Sequence, residues 1–313
     1  MPSTAGLDDE LYRVNRPLLM SIAYRMLGSV SEAEDIVQEA FLRYHRSAGS
    51  GEAVESPKAY LSTVTTRLAI DHLRSARMRR EHYVGQWFPE PVLTGENEVE
   101  RHAEIAESLS MAFLVLLERL SPVERAVFLL REVFDFGYAE IAEIVGKGET
   151  NVRQIAVRAR RHVEAGRPRF ETDRQRRDEL AHRFFAALEA GDLAGLLSTL
   201  ASDVTMAGDG GGKAPAVLEP VQGRERVARF LLGLMRQGVR LRLEMRPEEV
   251  NGEAGSVITD PGGRVVTVMV LNIASGVVHG IRSVVNPDKL GHLGPVANFG
   301  ELLKADRESR HDE

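Results

Sequence analysis

The chain has 313 residues, of which 43% are hydrophobic and 27% charged, and this length suits two or three modest domains. It holds no cysteine, which excludes disulfides, cysteine-ligated zinc and thiol catalysis, and no histidine spacing indicates a metal site or cofactor. A net charge of −6, with neither half of the chain basic overall, excludes indiscriminate nucleic-acid binding, so any DNA contact must come from local clusters.

The chain opens on "MPSTAGLDDELYRVNRP" and contains no apolar run that could span a membrane, so we expect a cytoplasmic protein without a signal peptide. The first predicted helices are "RPLLMSIAYRMLGS", which ends at Gly28-Ser29, and "SEAEDIVQEAFLRYHR" at 31–46. Ser31 is the predicted N-cap of the second, with Glu34 three residues later. This second helix is amphipathic and its polar face is acidic.

A small-residue loop is predicted over 46–57, and a long helix follows it. Ser56 is the predicted cap and Pro57 the first helical residue, and the helix should reach about Arg80. Its first part carries core residues and its end is basic, with arginines at Arg67, Arg74, Arg77, Arg79 and Arg80.

The stretch "WFPEPVLTGENEVERHAEIAESLS" is predicted to be a linker, because Pro89 and Pro91 stop the helix and the later residues are acidic. Helix resumes in "LSPVERAVFLLREVF", where Ser121 caps, Pro122 takes the first position and Glu124 completes a capping box.

Residues 137–163, "GYAEIAEIVGKGETNVRQIAVRARRHV", have the pattern of a helix-turn-helix. Ala142 is small where two helices must cross, Gly146 permits positive φ at the turn, and Val152 supplies the apolar contact. The start of the second helix then exposes residue types that read base edges and hold phosphates, namely Glu149, Thr150, Asn151, Arg153, Gln154 and Arg158. A solvated face of an ordinary bundle helix is the alternative, and the turn spacing favours the helix-turn-helix.

The pattern changes after 167–169. A helix in "RQRRDELAHRFFAALEAGD" is followed by "GRERVARFLLGLMR" and then by β-branched runs, "RLRLEM", "GSVIT", "GRVVTVMVLNI" and "GVVHGIRSVV", the last two joined as a hairpin at 274–276. This order predicts an α+β domain over 174–300 and a disordered charged tail over 301–313.

Several of these segments together resemble a known family. "AEDIVQEAFLRYHR", "PKAYLSTVTTRLAIDHLRSARMRRE" and the 119–163 stretch look like regions two and four of an extracytoplasmic-function sigma factor, the promoter-recognition subunit of bacterial RNA polymerase. The remainder resembles a cone-shaped SnoaL-like domain of the nuclear-transport-factor-2-like fold. "WFPEP", "DGGGK" and "NPDKL" are similar to motifs of the sigma factors that carry this fused extension, although Phe88 and Gly148 depart from the usual leucine and serine.

The resemblance implies a multidomain chain: two all-α sigma domains followed by the α+β SnoaL-like domain. Region two would span 8–86, a linker 87–108, region four 109–168, the SnoaL-like domain 174–300 and a tail 301–313. It also implies that core RNA polymerase is bound through its β′ clamp helices by Glu34, Asp35, Gln38 and Glu39, and through its β flap by region four.

Promoter DNA would be the second partner. By the same resemblance, the −10 element faces Arg67, Asp71, Arg74 and Arg77, and the −35 element faces the start of the helix at 149–158. The loop at 46–56 would help capture a flipped base. For Asp71, a structural ion pair with Arg67 or Arg74 is an equally weighted alternative.

The C-terminal domain could be an enzyme, a small-molecule binder or an interaction module. Asp203, Asp209, His279 and Arg282 are the acid/base candidates, and no recognisable catalytic spacing joins them, so a non-enzymatic role is favoured. A helix-turn-helix regulator with a ligand-sensing cone stays open as an alternative, as does an unidentified small ligand; we expect a monomer.

We expect instead that this domain controls the sigma module in cis. The exposed aromatics of the linker should seek a pocket on the cone, and the glycine loop should be exposed and closely approachable. The residues expected to carry this interdomain regulation are Trp87, Phe88, Pro89, Asp209, Gly210, Gly211, Gly212, Lys213, Asn286, Pro287, Asp288, Lys289 and Leu290.

Overall fold

The computed structural model describes residues 4–49, 54–80, 83–95, 108–166 and 174–309. They fall into two compact units, one formed by Met1–Glu81 with Phe113–Arg167 and the other by His82–Ala112 with Pro168–Glu313. The stretch predicted as a linker therefore belongs to the same unit as the C-terminal domain.

The first unit begins with three helices that pack on one another, α1 (Thr4–Leu27), α2 (Val30–Gly49) and α3 (Pro57–Arg80). Gly28 ends α1 at a φ of 69°, as its position in the sequence indicates. The predicted cap of α2 was wrong, because Ser29 rather than Ser31 accepts the Glu32 N–H, at 3.2 Å. Since α2 also continues through Gly49, the predicted loop starts later than expected.

Four further helices follow among the described residues: α4 (Met111–Leu117), α5 (Pro122–Glu132), α6 (Tyr138–Val145) and α7 (Glu149–Gly166). They belong to the first unit except for Met111 and Ala112, which belong to the second. The Ser121–Glu124 capping box predicted for α5 is present. Gly146 closes α6 at a φ of 65°, and fully buried Val152 holds α7 in place, so the helix-turn-helix prediction is confirmed. Helices α5 and α6 also pack against α3.

The second unit places helices against one sheet. The helices are α8 (Arg174–Glu189), α9 (Leu193–Thr199), α10 (Arg224–Arg240) and α11 (Phe299–Ser309); the strands are β1 (Leu200–Asp209), β2 (Val221–Gln222), β3 (Glu244–Val250), β4 (Glu253–Thr259), β5 (Val265–Ala274) and β6 (Val277–Val284). The sheet order is β2-β1-β6-β5-β4-β3, with β1 and β6 parallel and the other pairs antiparallel.

Apolar side chains of α8, α9 and α10 form one core with the sheet face that carries Met206, Met269 and Ile281. The opposite sheet face carries polar residues, among them Asn272 and Arg282, since successive strand residues alternate between faces. The predicted hairpin is confirmed, because Ala274 pairs with Val277 across a turn in which Ser275 and Gly276 both have positive φ.

Three expectations for this unit need correction. "RLRLEM" is a strand only from Glu244, because α10 runs to Arg240 and Arg242 turns the chain at a φ of 55°. The long strand β1 was not assigned, since its apolar residues alternate only in part. The tail is helical through Ser309, because Asn298 accepts the Gly300 N–H at its start and Asp306 pairs with Arg240 at 2.9 Å.

Candidate functional site

The exposed side of α7 carries the residues predicted to read the −35 element. Glu149, Thr150, Asn151, Arg153, Gln154 and Arg158 are all exposed there, because Val152, Ile155 and Ala159 turn the opposite side of the helix inward. Four of the polar residues line a shallow surface depression together with Val157. Val157 is 46% exposed, although the sequence had predicted no site there. An exposed valine between polar residues that contact DNA bases can contact a thymine methyl group. An apolar residue at a polar position of the helical pattern was the sequence signal that could have identified Val157.

Arg153 is held in position before any ligand arrives. Its guanidinium bonds the Glu149 carboxylate in the preceding turn and lies 4.4 Å from the centroid of the Tyr138 ring. Arg131 lies 5.0 Å from the same centroid. Cation–π contacts of this kind restrict a flexible side chain at little cost in solvation.

The residues predicted to face the −10 element lie on α3. The Arg67 side chain donates to the carbonyls of Glu143 and Ile144 at the end of α6, at 2.8 and 2.9 Å. These carbonyls end a helix, so they carry partial negative charge and attract a guanidinium. Arg67 is exposed, but in this conformation its guanidinium is hydrogen-bonded to protein carbonyls.

The rest of the predicted −10 set does not join Arg67. Asp71 pairs with Arg74 at 3.0 Å, and both carboxylate and guanidinium are largely exposed. The ion-pair alternative for Asp71 is thus present in the structure, with Arg74 and not Arg67 as the partner. The Arg77 side chain lies outside the described residues, as do residues 50–53 of the loop predicted to capture a base.

The predicted polymerase-binding residues share the outer side of α2. Asp35 and Gln38 are exposed, Glu34 pairs with Arg16 at 3.3 Å, and Glu39 pairs with Arg43 at 2.7 Å. The hydrogen bond from Arg43 lowers the pKa of Glu39. Leu42 is an exposed apolar residue on the same helix, and sequence reasoning did not single it out.

In the second unit, the three predicted regulatory motifs meet at a buried ion pair. The Lys289 ammonium bonds the Asp209 carboxylate at 2.6 Å, and their side chains are 9% and 0% exposed. Lys289 also donates to the Phe88 carbonyl, while the Phe88 N–H donates to Asp209 at 2.8 Å. The Trp87 ring centroid lies 4.2 Å from the ammonium. We call Tyr83, Phe88, Asp209, Asn286 and Lys289 the linker clasp.

The clasp is completed by a tyrosine and a glycine turn. The Tyr83 hydroxyl donates to Asp209 and accepts from the Asn286 amide at 3.0 Å. Burial, and then the bond to the Asp209 carboxylate, raise the pKa of Tyr83 above its ordinary value. Gly211 has a φ of 56°, and a Cβ there would lie 2.3 Å from the Asn286 amide nitrogen. The position therefore requires glycine to let Tyr83 and Asn286 meet.

The other predicted regulatory residues surround the clasp. Pro89 and Leu290 are buried, Pro287 begins a short 3₁₀ turn with Asp288, and Lys213 pairs with Asp288 at the surface. The glycine loop is exposed only in part: Gly212 and Lys213 are exposed as expected, but Asp209 and Gly210 are buried. Gly210 accepts backbone bonds from Lys213 and Ala214. Gly212 lies against Val84.

A second anchor holds both described ends of the linker stretch on the β3–β4 turn. Asn251 accepts the Val92 N–H at 2.9 Å and donates to the Leu109 carbonyl at 3.1 Å. Glu253 accepts the N–H of Met111, the residue at which α4 begins, at 2.7 Å. Burial raises the pKa of the Glu253 carboxyl, and burial likewise lowers the pKa of Arg282 on the same sheet face. Sequence reasoning missed Asn251 and Glu253, since both look like ordinary turn residues.

The acid/base candidates of the C-terminal domain do not converge. Asp203 on β1 is 82% exposed and lies 3.8 Å from His279, while the Asp209 carboxylate is bound to Lys289. Over the ranges that the structure describes, no three carboxylate or imidazole groups cluster as metal ligands, and no helix has the length and hydropathy to cross a membrane.

Comparison with known proteins decides the family. Residues 11–79 match Sigma-70 region 2, and residues 110–163 match Sigma-70, region 4. The chain is 40% identical over 284 residues to ECF RNA polymerase sigma factor SigJ of Mycobacterium tuberculosis, covering 88% of this chain and 90% of that protein. The chain belongs to the extracytoplasmic-function (ECF) RNA polymerase sigma factors.

Other relatives agree with the assignment of this ECF sigma factor. The probable ECF RNA polymerase sigma factor SigI of Mycobacterium tuberculosis is 31% identical over 284 residues, covering 90% of this chain and 94% of SigI. The crystal structure of the Mycobacterium tuberculosis factor SigJ matches with a TM-score of 0.71 at 37% identity, over 90% of this chain and 97% of that one. The resemblance stated from sequence, including the SnoaL-like C-terminal domain, is confirmed. This ECF sigma factor binds core RNA polymerase and promoter DNA and directs transcription initiation.

Proposed function

We propose that this ECF sigma factor is regulated in cis by its SnoaL-like domain, which holds the linker between the two promoter-reading regions. The linker clasp is the observation that carries the proposal. It fixes Tyr83 and Phe88 through a buried ion pair, and the β3–β4 turn fixes the returning end of the same linker at Leu109 and Met111. Because region two precedes this linker and region four follows it, whatever holds its two ends limits how far the regions can separate.

Docking of region two and region four on two different parts of polymerase would require the two regions to separate. The acidic side of α2, with the exposed Leu42 as an apolar contact, would dock on the β′ clamp helices, and region four would dock on the β flap. An apolar residue surrounded by charged side chains is typical of a specific protein interface. Glu34, Asp35, Gln38 and Glu39 provide the charge on α2.

The bond network of Arg67 supports the same proposal. Arg67 is assigned to the −10 element, yet its guanidinium is bound to the end of α6 in the described conformation. The Arg67 guanidinium cannot bond these carbonyls and DNA at the same time, so −10 recognition requires its side chain to leave the end of α6. We infer that docking on polymerase favours this release and that the SnoaL-like domain biases it through the linker.

We infer that the SnoaL-like domain acts without catalysis. Asp209 is the acid/base candidate with the deepest burial, and its carboxylate accepts bonds from Lys289, Tyr83 and the Phe88 N–H. A carboxylate used in this way is a structural anchor, because a general base must be free to take a proton from a substrate.

The −35 assignment is tested by Arg153→Ala in the full chain bound to core polymerase, with Arg161→Ala on the same helix as the matched control. If Arg153 contacts a base, its removal should weaken promoter binding by about 1–3 kcal/mol, and the loss should vary with the base at one −35 position. A loss that is equal on all sequences would assign Arg153 to a phosphate instead.

A further inference from the structure

The outer side of α10 in the SnoaL-like domain is a row of arginines. Arg226, Arg229, Arg236 and Arg240 are all exposed and recur at the three- and four-residue spacing of one helix face. Gly233 falls between the second and the third, where a side chain would meet only open space. We call these four arginines the arginine face.

The apolar side of the same helix is already occupied. Val227, Ala228, Leu231 and Leu232 are buried in the core of the domain. From Arg226 to Arg240 the helix rises about 21 Å at about 1.5 Å per residue, which equals about six base pairs of DNA. The arginine face is therefore a long, rigid surface presented by a packed helix.

Acidic neighbours neutralise only part of this face. Glu225 pairs with Arg229 at 3.5 Å, and Asp306 pairs with Arg240 at 2.9 Å. Among the described residues, Arg226 and Arg236 have no hydrogen bond or ion pair. A chain with a net charge of −6 thus concentrates unneutralised positive charge on one helix of a domain outside both promoter-reading regions.

The chemistry of the face selects duplex DNA as the partner. A membrane surface does not fit, because the apolar side that would enter the bilayer is buried in the core. Single-stranded nucleic acid does not fit either, because the face offers no aromatic side chain for bases to stack on. Arginines at regular spacing along a rigid helix fit the evenly spaced phosphates of a duplex.

We propose that the arginine face of α10 binds the phosphate backbone of duplex DNA next to the promoter elements. The contact holds the SnoaL-like domain on DNA once polymerase and the two sigma regions are bound, since covalent connection to a DNA-bound module raises the local concentration of phosphates. No base is read, because phosphate contacts are independent of sequence. The inference adds a third DNA contact to the two that regions two and four make.

The first test measures promoter binding by holoenzyme as a function of potassium chloride concentration. Arg226→Gln with Arg236→Gln removes two phosphate contacts, so binding at low salt should weaken roughly tenfold and the log–log salt slope should shrink by about 1.8. The loss should persist when the sequence flanking the promoter elements is scrambled. Arg176→Gln with Arg183→Gln is the control, because it removes the same charge from exposed positions of α8.

A wild-type slope in the α10 variant, or an equal change in the α8 control, overturns the proposal. Loss of affinity for core polymerase without DNA also overturns it, since the face would then dock on protein. Circular dichroism melting of both variants shows whether the domain stays folded; the substituted positions are exposed, so unchanged melting is expected.

The second test uses the absence of native cysteine. Gly233→Cys introduces a single thiol in the middle of the arginine face, where space is open, and an iron chelate attached to it generates hydroxyl radicals. In holoenzyme on promoter DNA this label should cleave the duplex at one position outside the −10 and −35 elements. A label at Arg183→Cys is the control for diffusion, and DNA left uncut by the Gly233→Cys conjugate would refute the proposal.

Discussion

Replacing Lys289 by methionine should strongly destabilise the second unit, because it removes one charge of a buried ion pair. The Asp209 carboxylate is fully buried and would lose the Lys289 ammonium, its cationic partner at 2.6 Å among the described residues. Methionine keeps most of the length and apolar stem of lysine, so the change tests charge rather than packing.

The buried ion pair determines how much unfolding free energy the Lys289→Met variant should lose. Leaving one member of a buried ion pair without its partner costs about 3–5 kcal/mol of unfolding free energy. Asp209 would keep the bonds from the Tyr83 hydroxyl and the Phe88 N–H, which favours the lower end of that range. Loss of the cation–π contact with Trp87 adds about 0.5–2 kcal/mol. We therefore expect a loss of about 4 kcal/mol.

The chain supplies its own probe, because Trp87 is its single tryptophan and its ring lies 4.2 Å from the Lys289 ammonium. Urea unfolding monitored by the fluorescence emission of Trp87 reports directly on the opening of the linker clasp. Emission of Lys289→Met should also change before denaturant is added, since the cation over the ring is gone.

The matched control is Lys213→Met. Lys213 pairs with Asp288 on the same motifs, but both side chains are more than half exposed, at 57% and 58%. Exposed pairs contribute about 0–1 kcal/mol, so this variant should unfold almost as the parent does. If Lys289→Met costs no more than Lys213→Met, the clasp does not hold the linker and the reasoning is refuted.

Three other perturbations have defined outcomes. Arg67→Gln should loosen the packing of α3 on α6, measured as faster amide exchange at the end of α6, and should weaken recognition of the −10 element. Unchanged exchange would show that the bonds to Glu143 and Ile144 do not stabilise this packing. Asp35→Arg should abolish binding to core polymerase with little change in melting temperature, and a large stability loss would refute its docking role. Folding raises the pKa of Glu253, so the folded state binds more protons, and stability falls as the pH rises above the pKa of Glu253 in the unfolded chain. Glu253→Gln should make this fall less steep. A melting temperature with the same pH dependence in the variant and the parent would contradict the prediction.

Local signals in the sequence were sufficient for several helix boundaries, although the α2 cap and the tail helix α11 were predicted wrongly. Ser121-Pro122 and Glu124 define the start of α5, and Gly146 defines the turn before α7, because caps and positive-φ glycines act within a few residues. The Ala274–Val277 hairpin is similarly local. Strand β1 was not predicted because its parallel pairing with β6 joins residues far apart in sequence. No local sequence pattern indicates such a parallel neighbour.

The candidate sites divide in the same way. The polar face of α7 follows from helical spacing, so its membership could be predicted from sequence. The linker clasp could be anticipated only as motifs that belong together, since Phe88, Asp209 and Lys289 meet through tertiary packing. Asn251 and Glu253 were missed because their hydrogen bonds reach the linker from a turn far along the chain.

Run-off transcription with core RNA polymerase on the DNA upstream of this protein's own gene tests the central claim most directly. The full chain should initiate, and Lys289→Met, which releases the linker, should change the amount of transcript and, because the release is coupled to docking, the apparent affinity for core polymerase. Lys213→Met should behave as the parent. Equal output from the parent and Lys289→Met, with the clasp shown by Trp87 emission to be open, would contradict regulation in cis by the SnoaL-like domain.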